Sequence, residues 1–475
     1  MSRISVAVAT RRRPAFAERM FRSLRTRNYR LWFFGQMVSQ SGSWMQAVAQ
    51  SALVLFQLHG NAVDLGITAA LQFGPVLVLG PIGGLLADRF DKRKVLLATQ
   101  AAFTAQALVL GVLVATGAVQ LWMVWVLAFL MGAINSVDNP ARQSFVVEMV
   151  GPEDLANAVG LNSVIVNASR IVGPAIAGIL IVTTGMSWTF MLNAVSFFAV
   201  LVALYAMRPG ELHRLPPVAG AKGQIRAGLR YAWGTWELRV PLIMMAVIGT
   251  LAYNFSVVLP LFAHLFHRGA GTYSALTTAM GVGALIGGLI AAARRRPSYR
   301  LLVVVTCAFG VFLVAVAVAS SLALMLLFLV PMGAASVLFI ATANSLLQLH
   351  SSGAMRGRVM ALWAMVFLGS TPIGAPLTGL CAAHFGVRLT LALGGVATVL
   401  TAGWAALALR RIRGERRSAV ATAREDRGVT RRPQIAAGVE LARADTDARD
   451  RRAATPGEGS QTRRPSRSFI DGAPV

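Results

Sequence analysis

Apolar residues in this chain run in long blocks separated by short polar turns. A bilayer core about 30 Å thick needs about 20 mostly apolar residues, because a helix rises about 1.5 Å per residue. Twelve segments qualify, near 30–58, 64–87, 95–116, 121–139, 158–183, 187–207, 241–266, 273–293, 301–320, 322–343, 358–383 and 388–409. The pattern predicts an all-α membrane protein of twelve transmembrane helices.

Composition agrees. Of 475 residues, 56% are hydrophobic and 13% charged, where soluble domains carry about 25% charged residues. A net charge of +26 would suggest nucleic acid as a partner of a soluble protein. Here the basic residues lie in the two ends and in short loops between apolar runs, which is the signature of membrane topology. With the amino end inside and both tails left out, 17 basic residues fall in inside loops, against only Arg268 and Arg388 outside. A single miscounted helix would scramble that ratio. It therefore predicts both termini in the cytoplasm, for a multi-pass protein of the bacterial inner membrane. The apolar segment after the basic arm 1–29 is too long for a cleaved signal peptide, so the arm is read as retained.

Three weak repeats divide the chain. Ile82-Gly83-Gly84-Leu85 in span two returns as Ile286-Gly287-Gly288-Leu289 in span eight, an offset of 204. Met131-Gly132-Ala133 returns as Met332-Gly333-Ala334, and Gly173, Gly178 and Gly185 return as Gly374, Gly379 and Gly386, both at an offset of 201. Three matches in order predict two six-helix pseudo-repeats, 30–207 and 241–409. Residues 208–240 form a basic cytoplasmic loop between them. Its stretch from Ile225 to Leu238 carries Leu229, Trp233 and Trp236 and predicts one amphipathic helix along the membrane surface. From 410 onward large apolar residues become scarce, and the basic cytoplasmic tail 410–475 is predicted to be disordered.

The loop after span two reads Gly84-Leu85-Leu86-Ala87-Asp88-Arg89-Phe90-Asp91-Lys92-Arg93-Lys94. It resembles the motif G-x-x-x-D-R-x-G-R-R of the major facilitator superfamily, with Asp91 where glycine is usual. Four further runs resemble the enterobactin-exporter-like, drug:proton antiporter branch of that superfamily: Val38 to Gln50 of span one, Asn139-Pro140-Ala141-Arg142-Gln143, Gly173-Pro174-Ala175-Ile176-Ala177-Gly178, and Arg356-Gly357-Arg358-Val359-Met360. The resemblance covers about residues 20–410. It implies alternating access, in which two bundles rock about a central cavity, with protons as the coupling ion and export of a siderophore or drug. It also implies a cytoplasmic latch of Asp88, Arg89 and Arg93. The basic residues could equally be a charge cluster that stops translocation, a role that leaves Asp88 unexplained. Asp138 either joins the latch, pairs with Arg142 four residues on, or binds a proton.

Arg170 is the one basic residue inside a span. A central arginine costs about 2.5 to 3.5 kcal/mol on insertion scales, so it should face the cavity or a partner, or snorkel to the headgroups. Ser163, Asn167, Arg170 and Pro174 share one helical face. Gly173-Pro174 with Gly178 resembles the span-five motif G-x-x-x-G-P-x-x-G-G of antiporters, with Ser169 and Ala177 replacing two glycines. It predicts a closely packed, kinked pivot, and the motif favours export. Span one sets Gln36, Gln40, Ser43 and Gln50 on one face, as a cavity lining for amphipathic cargo or as interhelical hydrogen bonds. Tyr253 and Asn254 hold the matching place in span seven.

Other chemistry is not indicated. Cys307 and Cys381 sit in apolar runs without metal-ligand spacing. Gly281-Val282-Gly283 with Gly287 and Gly288 imitates a dinucleotide fingerprint, but at the wrong spacing and inside a span. No nucleotide-binding G-x-x-x-x-G-K-[ST] loop, catalytic triad or metal cluster is present. The sequence thus points to a monomeric, non-enzymatic transporter of a small molecule, with no cofactor or nucleic acid. Uptake by the same fold, or a non-transporting scaffold or sensor, stays open, and the cargo is not legible.

Overall fold

A computed structural model describes residues 21–213, 224–294 and 297–410. The arm 1–20 and the tail 411–475, with the disorder predicted for it, lie outside the described residues. The described residues up to Leu409 form one compact unit. Its described part is all helix and turn: α1 (Arg27–Ala52), α2 (Ala62–Arg89), α3 (Lys92–Ala115), α4 and α5 within Leu121–Thr183, and α6 (Met186–Tyr205). The short α7 (Gln224–Gly234) precedes α8 (Trp236–Leu251), α9 (Phe255–Leu265), α10 (Ala270–Ala293), α11 (Tyr299–Val318), α12 (Leu322–His350), α13 (Gly353–Phe385) and α14 (Val387–Arg410).

Ten helices among the described residues are long and apolar enough to cross a bilayer, with α8 and α9 joined as one. The 63-residue helix Leu121–Thr183 is two spans meeting at Gly151, whose φ of 70° breaks it into 121–150 (α4) and 152–183 (α5). The remaining span is α1, too rich in glutamine and serine to register by hydropathy. It is tolerated because Gln36, Ser39, Gln46, Gln50 and Ser51 are buried within the bundle and not turned to lipid. Twelve spans result, as the apolar blocks predict.

Local chemistry sets the helix ends. Asn61 Oδ1 accepts from the Val63 and Asp64 amides while Asp64 Oδ2 accepts from the Asn61 amide at 2.8 Å, a reciprocal cap that starts α2. Asp91, the departure from the superfamily motif, caps α3 by accepting from the Lys94 amide at 3.2 Å. Span seven is broken at 252–254, between α8 and α9. The surface helix is shorter than the stretch from Ile225 to Leu238: Thr235 is extended, so α7 ends at Gly234 and Trp236 opens span seven. Arg239 stacks 3.5 Å over the Trp236 ring. Tyr231 of α7 accepts from the Ser352 amide at 3.2 Å, which ties α7 to the start of α13, and hydrogen bonding from the Ser352 side chain and then its amide holds the phenol below its usual range.

The repeats reappear as contacts. A side chain at Gly83 or Gly132 would strike the backbone of α4 or α2, and one at Gly283, Gly287 or Gly333 would strike α12 or α10. Spans two and four thus touch in the first half as eight and ten do in the second. Gly173 lies on α1 at Ser41 and Trp44, and its mate Gly374 lies on α8 at Thr250. Gly185 and Gly386 both take positive φ, 95° and 81°, where the chain turns from α5 into α6 and from α13 into α14.

The two halves meet along α2 with α13 and α5 with α10. Gly66 faces the Ala375 carbonyl and Pro376, and Gly379 faces the Ala62 carbonyl. Gly178 faces Ser274, Gly271 faces Val182, and Gly281 faces the Arg170 carbonyl. All these contacts lie from mid-depth to one end of the bundle, here called the far end. At the other, basic end, Gly80, Gly84, Gly160 and Gly357 have nothing within 4 Å. The bundle is sealed at the far end and parted at the basic end.

Candidate functional site

Between the halves, at the inner limit of the seal, lies a cavity of about 360 Å³. Trp44, Ala47, Gln50 and Ser51 reach it from α1, and Thr68, Gln72 and Phe73 from α2. Arg170 enters from α5, Tyr253 from the break in span seven, Phe255 from the start of α9, and Thr277 and Met280 from α10. Ser336, Phe367, Ser370 and Thr371 close the wall from α12 and α13. Aromatic rings and methyl groups dominate, interrupted by hydroxyls and two amides, a surface suited to amphipathic molecules. A second groove of about 510 Å³ lies at the basic end between α2, α4 and α13. Leu368 lines both, so the groove leads toward the cavity.

The cavity takes Gln50, Arg170 and Tyr253 from the residues singled out in the sequence. Gln50 donates to Gln72 Oε1 at 3.3 Å across α1 and α2. Arg170 has its guanidinium carbon 5.4 Å from the centre of the Trp44 ring. Its Nε is buried without a hydrogen-bond partner. Tyr253 donates to the Ser336 carbonyl at 2.7 Å.

Gln36, Gln40, Ser43, Asn167 and Asn254 are not among the residues lining it. Gln36 is buried, its Nε2 without a hydrogen-bond partner among the described residues. Gln40 is half-buried. Ser43 bonds back to the Ser39 carbonyl at 2.9 Å and Asn167 to the Ser163 carbonyl at 2.8 Å. Asn254 is buried at the break in span seven, donating to the Thr250 carbonyl and to Thr378 Oγ1 at 2.9 Å. The face drawn from span one therefore divides: Gln36 is buried, Gln40 and Ser43 are half-buried, and Gln50 alone of the four lines the cavity.

The basic-end residues are scattered too. Asp88 and Arg89 are exposed, and neither forms an ion pair or hydrogen bond among the described residues. Arg93 donates to the Leu204 carbonyl at 2.8 Å and the Tyr205 carbonyl at 3.2 Å, capping the end of α6. Asp138 is fully buried and takes the (i, i+4) pairing: it accepts from Arg142 Nε at 3.0 Å, Thr99 at 2.7 Å and Gln100 at 2.9 Å. Gly84 is open on its basic-end face, while Gly173 and Pro174 are buried where α5 crosses α1.

Sequence reasoning passed over several residues. Gln46 donates to Gln106 at 3.1 Å and accepts from Asn193 at 2.7 Å, binding α1 to α3 and α6. Lys92 pairs with Glu148 at 2.7 Å. Gln72 could have been found, since it falls one helical turn after Thr68 on the face of α2 that meets the gap. Among the described residues no group of His, Cys, Asp or Glu is arranged to hold a metal.

The chain is similar to known proteins along most of its length. Residues 19–442 match the transmembrane secretion effector family. It is 25% identical to the staphyloferrin A transporter of Staphylococcus aureus, over 75% of this chain and 90% of that one. It is 24% identical to macrolide efflux protein A of Streptococcus pyogenes (79% and 95%) and 25% identical to the enterobactin exporter of Escherichia coli O1:K1 (74% and 84%). Among solved structures, a bacterial homolog of the human lysosomal transporter Spinster shares the fold. Its TM-score is 0.66 at 13% identity, covering 81% of this chain and 97% of that one. Twelve spans, two pseudo-repeated halves, a cavity between them and the family match agree: the chain belongs to the transmembrane secretion effector family of the major facilitator superfamily and is a secondary transporter.

Proposed function

We propose that the protein exports a small amphipathic molecule, of siderophore-like or hydrophobic-drug chemistry, from the cytoplasm across the bacterial inner membrane in exchange for protons. The observation that carries this reading is the mid-depth cavity, closed at the far end by glycine contacts and approached through the groove at the basic end. The loop charges put the basic end, and with it both termini, in the cytoplasm. The cavity then faces the side from which an exporter loads.

Asp88, Arg89, Arg93 and Asp138 serve the closing of the basic end in this reading. Asp88, exposed and without an ion pair among the described residues while that end is parted, engages the opposite half when it closes. Asp138 and Arg93 hold α3, α4 and α6 in register beneath it. Gly173, Pro174 and Gly178 form the pivot of α5 on α1 and α10. The chain works as a monomer in lipid and performs no covalent chemistry.

Inside-out vesicles holding the full chain test the proposal. With an acid interior, they should accumulate staphyloferrin A or a macrolide, and a protonophore should abolish accumulation. A folded chain that accumulates neither, nor any of a panel of amphipathic dyes, contradicts it.

A further inference from the structure

Among the described residues Arg170 is the only charged side chain lining the central cavity: no Asp, Glu, Lys or His joins it there. It lies at mid-depth on α5, where Gly281 of α10 abuts its carbonyl and the two helices begin to part. Toward the basic end, a Cβ at Gly288 would stand 3.8 Å from Asn167. One flank of the guanidinium rests on Trp44 and its Nε is buried without a partner. No ion pair or hydrogen bond reaches it among the described residues, although Asp138, Glu148 and other carboxylates of the same half do find cations. Tyr253 faces the same cavity, its proton committed to the Ser336 carbonyl.

A guanidinium held at mid-membrane with an aromatic ring and no counter-ion is an incomplete site. Its missing element is an anion, since the planar donor fork pairs best with a carboxylate or similar oxyanion. The same lone charge acts against a cationic guest, which would be desolvated beside it without compensation. We infer that Arg170 is the cargo-binding cation, and that the cavity selects amphipathic molecules carrying a carboxylate or comparable oxyanion over cationic ones of the same apolar bulk. This rests on the export reading and narrows it. The chemistry expected is that of an acidic, siderophore-like metabolite and not of an amine-bearing drug.

Three probes of one shape test the charge preference without any knowledge of the cargo: 2-naphthoate, 2-naphthylmethanol and 2-naphthylmethylamine. Binding is read on the full chain in nanodiscs as the tryptophan fluorescence change that is lost in Trp44→Phe. Naphthoate should bind at least tenfold more tightly than the amine. Arg170→Gln should remove that preference and leave the alcohol within twofold, while Arg170→Lys retains part of it. Equal or tighter binding of the amine, or no saturable binding of naphthoate to the unaltered chain, overturns the inference, even if Arg170→Gln fails to fold. An unchanged preference in a folded Arg170→Gln overturns it as well. Because the readout is equilibrium binding without a gradient, failure of proton-driven export would leave this result standing, and the reverse.

Discussion

Gly66→Ala should move the transporter toward the state in which the far end is open. A Cβ at position 66 would stand 2.7 Å from the Ala375 carbonyl oxygen and 2.9 Å from Pro376 Cα, where ordinary contact begins at 3.4 Å. Both obstacles are backbone, so no rotamer change relieves them, and α2 and α13 must separate by about 0.5 to 1 Å. Overpacking of this kind costs about 1 to 3 kcal/mol. That cost arises only while the far end is sealed. The gain in helix propensity from Gly to Ala, about 1 kcal/mol, is present in both states and cancels. The sealed-to-open ratio should therefore fall by about 5- to 150-fold.

Spin labels on Thr116→Cys and His384→Cys report the change. Both positions are exposed at the far end, one in each half, and Cys307 and Cys381 would be replaced by serine. Electron-electron distances should shift toward a longer population in Gly66→Ala. An unchanged distribution in a folded variant would refute the claim that this contact is the seal.

Asp88→Asn should slow export about tenfold while leaving the melting temperature unchanged, because Asp88 forms no hydrogen bond or ion pair among the described residues and is called on only when the basic end closes. Equal export rates would remove it from the cycle. Asp138→Ala should destabilise the folded chain by about 3 kcal/mol, since it strands Arg142 in a mostly buried site. An unshifted melting curve would contradict that. Gln46→Leu removes bonds to Gln106 and Asn193 that average about 0.6 kcal/mol each in membranes, so a loss near 1 kcal/mol is expected in the same assay. Deleting 411–475 should leave transport intact; loss of function on deletion, with Asp88→Asn silent, would favour a scaffold.

The architecture was readable because it is written in long-range periodicities. A span must be apolar over about 20 residues whatever it packs against. The repeat survived as glycines, whose positions are dictated by backbones that touch: Gly132 and Gly333, or Gly173 and Gly374, have the same neighbours in each half. The cavity was less readable, because a polar residue in a span has two uses that look identical in sequence. Gln50 faces the gap, while Gln46, on the same helix, ties three helices together. Asn254 resembled a cavity residue and instead secures the break in span seven. Arg170 was singled out by its cost alone, but the absence of a carboxylate partner among the described residues is a property of the assembled cavity. The continuity of α4 into α5 was hidden for another reason: Gly151 breaks a helix that runs past the membrane, where hydropathy no longer marks its limits.

The central claim is that one cavity is exposed to one side at a time. The direct measurement places a single cysteine at Thr371, a cavity residue, in a chain otherwise free of cysteine, and applies a membrane-impermeant maleimide to sealed vesicles of each orientation. Reaction from the cytoplasmic side alone, changing to reaction from the opposite side when Gly66→Ala is added, is the result predicted. Labelling from both sides at equal rates in the same chain would describe a pore and contradict the account.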